Sequence, residues 1–236
     1  MPSKKNEKLH PFYSVQNMGK KYFPGDHSEF SLHKTPRPEV VFVGDSITEY
    51  WCCEHPDFFQ RNNFLVHGVC GETSQNILQR FQTDATDGAI PIIALLCGIN
   101  DFTEPQNINV ESKIIHNITA MCDEAFLSGA RIIISALIPC VAIPWAPHIP
   151  NLSEKIVCLN ACLRSLSRQR HLPFADYHTA MALPDNSMRP EFTNDGCHPN
   201  SEGFCVMESI IIRQIELLTN RTNTYYITPS KLKHSI

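Results

Sequence analysis

The chain lacks a basic cluster. Over its 236 residues the formal charge is −4, and lysines gather only near the ends, at Lys4, Lys5 and Lys8 and at Lys231 and Lys233. That balance argues against nucleic acid as a partner. Nor is there an uninterrupted apolar run long enough to span a bilayer, so stable membrane insertion is not expected. The first ten residues are polar and lysine-rich, and no apolar signal core follows them, which points to a cytoplasmic protein. Zinc spacing is also missing from the ten cysteines. Cys52 and Cys53 are adjacent, and Cys158 and Cys162 lie one helical turn apart. Without a secretion signal they read as reduced thiols, not a disulfide framework. Cys97, Cys140 and Cys205 sit in apolar runs and read as buried small hydrophobes. His67, His116, His148, His171 and His178 show no i,i+4 pairing or acidic partner, so neither a metal nor another cofactor is expected.

What is present is a regular alternation. Apolar residues make up 42% of the chain, enough for one sizeable core. Val40-Val41-Phe42-Val43 is apolar on both faces, as a buried parallel strand is, and it stops at Gly44-Asp45-Ser46. Further strands are expected at 63–66, 89–97, 131–137 and 173–177. Between them, helical spacing appears at 48–53, 74–81, 109–128 and 152–168, and a last helix follows Pro199 over 201–218. Trp51 and its neighbouring cysteines are expected to turn inward. Five strand–helix alternations without a second composition regime specify a single α/β domain, a parallel sheet with helices on both faces. The domain is placed at residues 38–219, between an N-terminal arm packed on it (1–37) and a C-terminal tail (220–236).

Parallel strands deliver their C-terminal ends to one edge, where α/β proteins bind ligands. Ser46 follows the first strand, Gly71 the second and Asn100 the third, while Asp195 and His198 follow the fifth. Taken alone, each has an ordinary reading: Ser46 as a helix cap, Gly71 and Asn100 as turn formers, Asp195 and His198 as residues leading into a helix. Together they comprise what acyl transfer needs. Ser46 supplies a hydroxyl, His198 a base active near neutral pH, and Asp195 a carboxylate to orient that base. The N–H groups of Ser46 and Gly71 and the amide of Asn100 supply oxyanion donors. Cys197 is a thiol beside His198, but sequence neighbours in an extended turn point apart, so it is not read as the nucleophile. Asp45, Trp145 and His148 are candidate substrate contacts, the last two in a proline-rich loop after the fourth strand. That loop could equally pack its tryptophan on the core.

Gly44-Asp45-Ser46, Gly71-Glu72-Thr73, Gly98-Ile99-Asn100-Asp101 and Asp195-Gly196-Cys197-His198 resemble, in order, the four blocks of the SGNH (GDSL-type) hydrolases. The stretches Pro144-Trp145-Ala146-Pro147 and Asp176-Tyr177-His178-Thr179 resemble a bacterial-type acylhydrolase branch. The resemblance implies a flavodoxin-like sheet of order 2-1-3-4-5. It also implies Ser46, Asp195 and His198 as the triad, with Gly71 and Asn100 in the oxyanion hole. Such enzymes cleave esters and thioesters, including acyl lipids and O-acetylated sugars, without a metal. The chain departs from many relatives at Val66, where they carry Asn, and at Cys197, where they carry a small or apolar residue.

The expectation is a serine esterase acting on a small-molecule ester of short-acyl or lysophospholipid type. An O-acyltransferase or carbohydrate O-deacetylase would use the same triad. A non-catalytic α/β binding module would have no need of Ser46, Asp195 and His198 together.

Overall fold

In the computed structural model, residues 38–86, 90–104 and 109–219 are described. The expected arm (1–37) and tail (220–236) lie outside the described residues. Strands β1 (Val40–Gly44), β2 (Phe64–Gly68), β3 (Ile92–Leu96), β4 (Arg131–Ser135) and β5 (Phe174–Ala175) form one parallel sheet in the order β2-β1-β3-β4-β5. Every residue of β1 and β3 is buried, which is why both read as continuous apolar runs.

The helices are α1 (Ser46–Glu54), α2 (Pro56–Asn62), α3 (Ser74–Phe81), α4 (Val110–Leu127), α5 (Leu152–Gln169), α6 (Tyr177–Met181) and α7 (Ser201–Thr219). Helices α3, α4 and α5 pack side by side on one face, and α1, α2, α6 and α7 cover the other. Trp51 of α1 organises the second face. It lies flat between Phe58 (5.7 Å, 7°) and Phe204 (5.9 Å, 10°), with Phe42 of β1 meeting its edge at 5.5 Å. Trp51 is 2% exposed, and truncating such a side chain to alanine costs about 3–5 kcal/mol.

Two helices were not expected from the sequence. Pro56 at the first turn and Asn63 in a left-handed conformation punctuate α2, which is only two turns long. Asp176 caps α6, so Tyr177 leaves the strand expected to contain it, and β5 shrinks to two residues. Strand β2 runs two residues further than expected, because Val43 and Gly44 of β1 still offer partners to His67 and Gly68. The cysteines beside Trp51 do not both turn inward. Helix α1 buries Ile47, Thr48 and Trp51, which leaves Cys52 on its flank and Cys53 exposed. Cys158 and Cys162 are exposed on α5, and Cys205 is half-buried. No helix among the described residues is long and apolar enough to cross a membrane.

Candidate active site

The first strand meets its helix at a tight corner. A side chain at Gly44 would place a Cβ 2.1 Å from Thr48 Oγ1 and 2.6 Å from the Leu96 carbonyl oxygen, so only glycine fits. Asp45 caps α1, its Oδ1 accepting from the Ile47 N–H at 3.0 Å. Ser46 therefore opens the helix, where backbone N–H groups lack intrahelical acceptors. The residue is 2% exposed.

His198 reaches Ser46 from 152 residues away. Ser46 Oγ and His198 Nε2 are 3.2 Å apart, and His198 Nδ1 lies 2.8 Å from Asp195 Oδ2. The other oxygen of Asp195 accepts from the His198 and Cys197 N–H groups at 2.7 and 2.8 Å. Burial opposes ionisation of this carboxyl, but the bonds from His198 and from those N–H groups outweigh it and hold its pKa below the ordinary value. Thr193 clasps the turn, donating to the His198 carbonyl at 2.7 Å and accepting from the Gly196 N–H at 2.9 Å. The turn needs Gly196 at φ +80°.

The oxyanion candidates are linked to each other. Asn100, 2% exposed, donates through Nδ2 to the Glu72 carbonyl at 3.0 Å, next to Gly71. Gly71 sits at φ +79° with open space where a Cβ would be. Below them Asp101 accepts from the Ser74 N–H (2.7 Å) and the Ser74 hydroxyl (2.6 Å), and Asn117 of α4 donates to that hydroxyl at 2.9 Å. Arg80 ties the strand ends together, donating to Glu72 (2.7 Å) and to the carbonyls of Gly44 (3.0 Å) and His67 (3.1 Å). It also pairs with Asp84. None of these supporting bonds is visible as a sequence motif.

The three candidate substrate contacts fare differently. Asp45 is 1% exposed, and its Oδ2 has no hydrogen-bond partner among the described residues. Burial pushes its pKa up to about 7. Trp145 is 53% exposed and lies against His198 instead of packing on the core, with ring centroids 5.4 Å apart and planes inclined by 25°. Tyr50 approaches the same imidazole at 5.1 Å; sequence reasoning passed it over because α1 shows only its buried face as a pattern. His148 is exposed and lines, with Trp145, Phe102, Val110, Ile149 and Lys155, a cleft of about 490 Å³. Cys197 is buried against Cys140. The hydrogen bond to that thiol and burial push its pKa well up, which suits a packed thiol and not a nucleophile.

Residues 42–204 match the model of the GDSL-like lipase/acylhydrolase family. A GDSL-like lipase from Bacteroides thetaiotaomicron is 31% identical and superposes with a TM-score of 0.76, over 84% of this chain and 97% of that one. A candidate acylhydrolase from Bacteroides fragilis is also 31% identical with a TM-score of 0.76, over 89% and 99%. At 15% identity, an acetylxylan esterase from Geobacillus stearothermophilus shares the fold, with a TM-score of 0.56 over 75% and 93%. No curated protein sequence matches the chain. With these likenesses added to the sheet order, the chain belongs to the GDSL-like lipase/acylhydrolase family and is an ester hydrolase.

Proposed function

We propose that the protein is a serine esterase that cleaves small-molecule esters of short-acyl or lysophospholipid type through an acyl-serine intermediate. The observation that carries this reading is the line of hydrogen bonds from Ser46 through His198 to Asp195. His198 Nε2 takes the Ser46 proton as Oγ attacks the ester carbonyl, and Asp195 stabilises the imidazolium that forms. The tetrahedral oxyanion is met by the N–H groups of Ser46 and Gly71 and by Asn100. Asn100 spends one amide hydrogen on the Glu72 carbonyl, which orients the group, and its second hydrogen is the donor. A donor of this kind typically contributes about 10²–10³ in kcat. His198 then protonates the departing alcohol, and water activated by the same base releases the acid from Ser46.

A second reading, carbohydrate O-deacetylation, is favoured by Trp145. Its exposed indole beside His198 presents a flat apolar face, which a sugar ring suits as well as an acyl chain does. The test is hydrolysis of p-nitrophenyl acetate, butyrate and octanoate, and of an acetylated xylooligosaccharide, by wild type and Ser46→Ala. Turnover lost in Ser46→Ala supports the nucleophile, and the preferred substrate separates the two readings. Equal residual turnover in both proteins would remove Ser46 from that role.

A further inference from the structure

Away from the catalytic groups, three side chains with metal-ligating atoms converge on one point. His55 stands at the corner between α1 and α2, and Cys205 and Glu208 lie three apart, on one side of α7. The ligand atoms of the three all lie within 4.8 Å of one another. His55 and Glu208 are 6% and 0% exposed, and Cys205 is half-buried. We propose that His55 Nδ1, Cys205 Sγ and a Glu208 carboxylate oxygen bind a zinc ion that clamps the α1–α2 corner to α7.

The donor set selects the metal. A thiolate excludes magnesium and calcium as natural occupants, while one imidazole, one thiolate and one carboxylate suit a four-coordinate zinc ion with water in the fourth place. The second ring nitrogen is already engaged as a ligating histidine's is. His55 Nε2 lies 2.7 Å from Ser201 Oγ, one turn before Cys205, and that hydroxyl is able to accept from Nε2–H when Nδ1 binds the metal. Without metal, His55 Nδ1 and Glu208 Oε1 are hydrogen-bonded at 2.5 Å. Zinc takes the place of the proton between them, and since tetrahedral ligand atoms stand about 3.3–3.5 Å apart, the pair opens by about 1 Å while the thiol draws in. Binding displaces the proton of that hydrogen bond and the Cys205 thiol proton, so affinity rises with pH.

The position explains the use of such a clamp. Helix α1 begins with Ser46, and α7 follows directly on the turn bearing His198. Trp51 and Phe204 already stack between these two helices, and Phe204 also meets the His55 ring at 5.9 Å. A metal here would hold together the two segments that carry nucleophile and base, without touching either. Sequence spacing hides the site, because His55 and Glu208 are 153 residues apart.

The experiment is titration of the EDTA-treated full chain with Co²⁺, followed by displacement with Zn²⁺. One equivalent of Co²⁺ is expected to give a near-ultraviolet thiolate charge-transfer band with intense visible bands of four-coordination, all bleached by Zn²⁺. Cys205→Ser should abolish the thiolate band, and Glu208→Gln should weaken Co²⁺ binding at least tenfold. Cys53→Ser and Cys158→Ser should leave it unchanged. One equivalent of Zn²⁺ should raise the Tm of wild type but not of Cys205→Ser, while p-nitrophenyl acetate turnover reports that each variant is folded. Absence of the band at excess Co²⁺, its survival in Cys205→Ser, or its loss in a surface-cysteine variant would each overturn the proposal and leave His55–Glu208 as a buried ion pair. The three overturning outcomes are read from the Co²⁺ spectrum and not from ester turnover.

Discussion

The indole of Trp145 covers one face of the His198 imidazole, with ring centroids 5.4 Å apart, while Tyr50 approaches at 5.1 Å. An imidazolium formed during acyl transfer would sit over the π-face of the indole, an interaction worth about 0.5–2 kcal/mol. Trp145→Ala is therefore expected to lower kcat by about 2–30-fold, with Trp145→Phe retaining most of the rate. Steady-state kinetics on p-nitrophenyl acetate checks it. A rise in KM at constant kcat would assign the indole to substrate binding alone.

Asp195→Asn should be a costly change that leaves both Ser46 and His198 in place. An amide orients the imidazole wrongly and does not stabilise its cation, and the loss in kcat is expected to be about 10⁴-fold. The His198 and Cys197 N–H groups retain an acceptor oxygen, so thermal unfolding of the variant should stay close to wild type.

Asp45 makes stability depend on pH. Its carboxyl ionises near 3.8 in a model compound and at about 7 in the folded protein, because burial penalises the charge. Between those values the folded state holds a proton that the unfolded chain has released. This group's contribution to stability therefore declines as pH rises through that window, by about 4 kcal/mol in full. Asn also supplies a cap oxygen, so Asp45→Asn keeps the bond to Ile47 and removes the ionisation. Urea denaturation at about pH 5.5 and about pH 8.5 should show the variant gaining on wild type at the higher pH.

Asp101 holds the oxyanion side of the site from beneath. Replacing it by alanine leaves the Ser74 N–H and hydroxyl without their acceptor in a buried setting, and each such group costs about 1–3 kcal/mol. Asp101→Ala is expected to lower stability by about 3 kcal/mol. It should also reduce kcat, since Asn100 is its neighbour. Asp101→Asn keeps one acceptor and should lose less on both counts, as urea denaturation and turnover of p-nitrophenyl acetate would report.

The sheet was readable because its strands are buried on both faces, so β1 and β3 appear as unbroken apolar runs. Helix α3 was located to the residue, since a Thr cap and one apolar face bound it. Short elements were not. Helix α2 is too brief for a period to show, and Tyr177 is apolar enough for a strand although Asp176 turns it into a helix.

Ser46, Gly71, Asn100, Asp195 and His198 stood out in the sequence because their chemistry lies in short local blocks and because parallel topology delivers every strand end to one edge. Tertiary structure alone decided the contacts among distant elements. It buried Asp45, brought Trp145 against His198, set Asp101 beneath Asn100 through Ser74 and Asn117, and joined His55 to Glu208. The physical reason is that a hydrophobic period reports which face of an element is buried. Which side chain it meets there depends on how helices far apart in the chain settle against the same sheet.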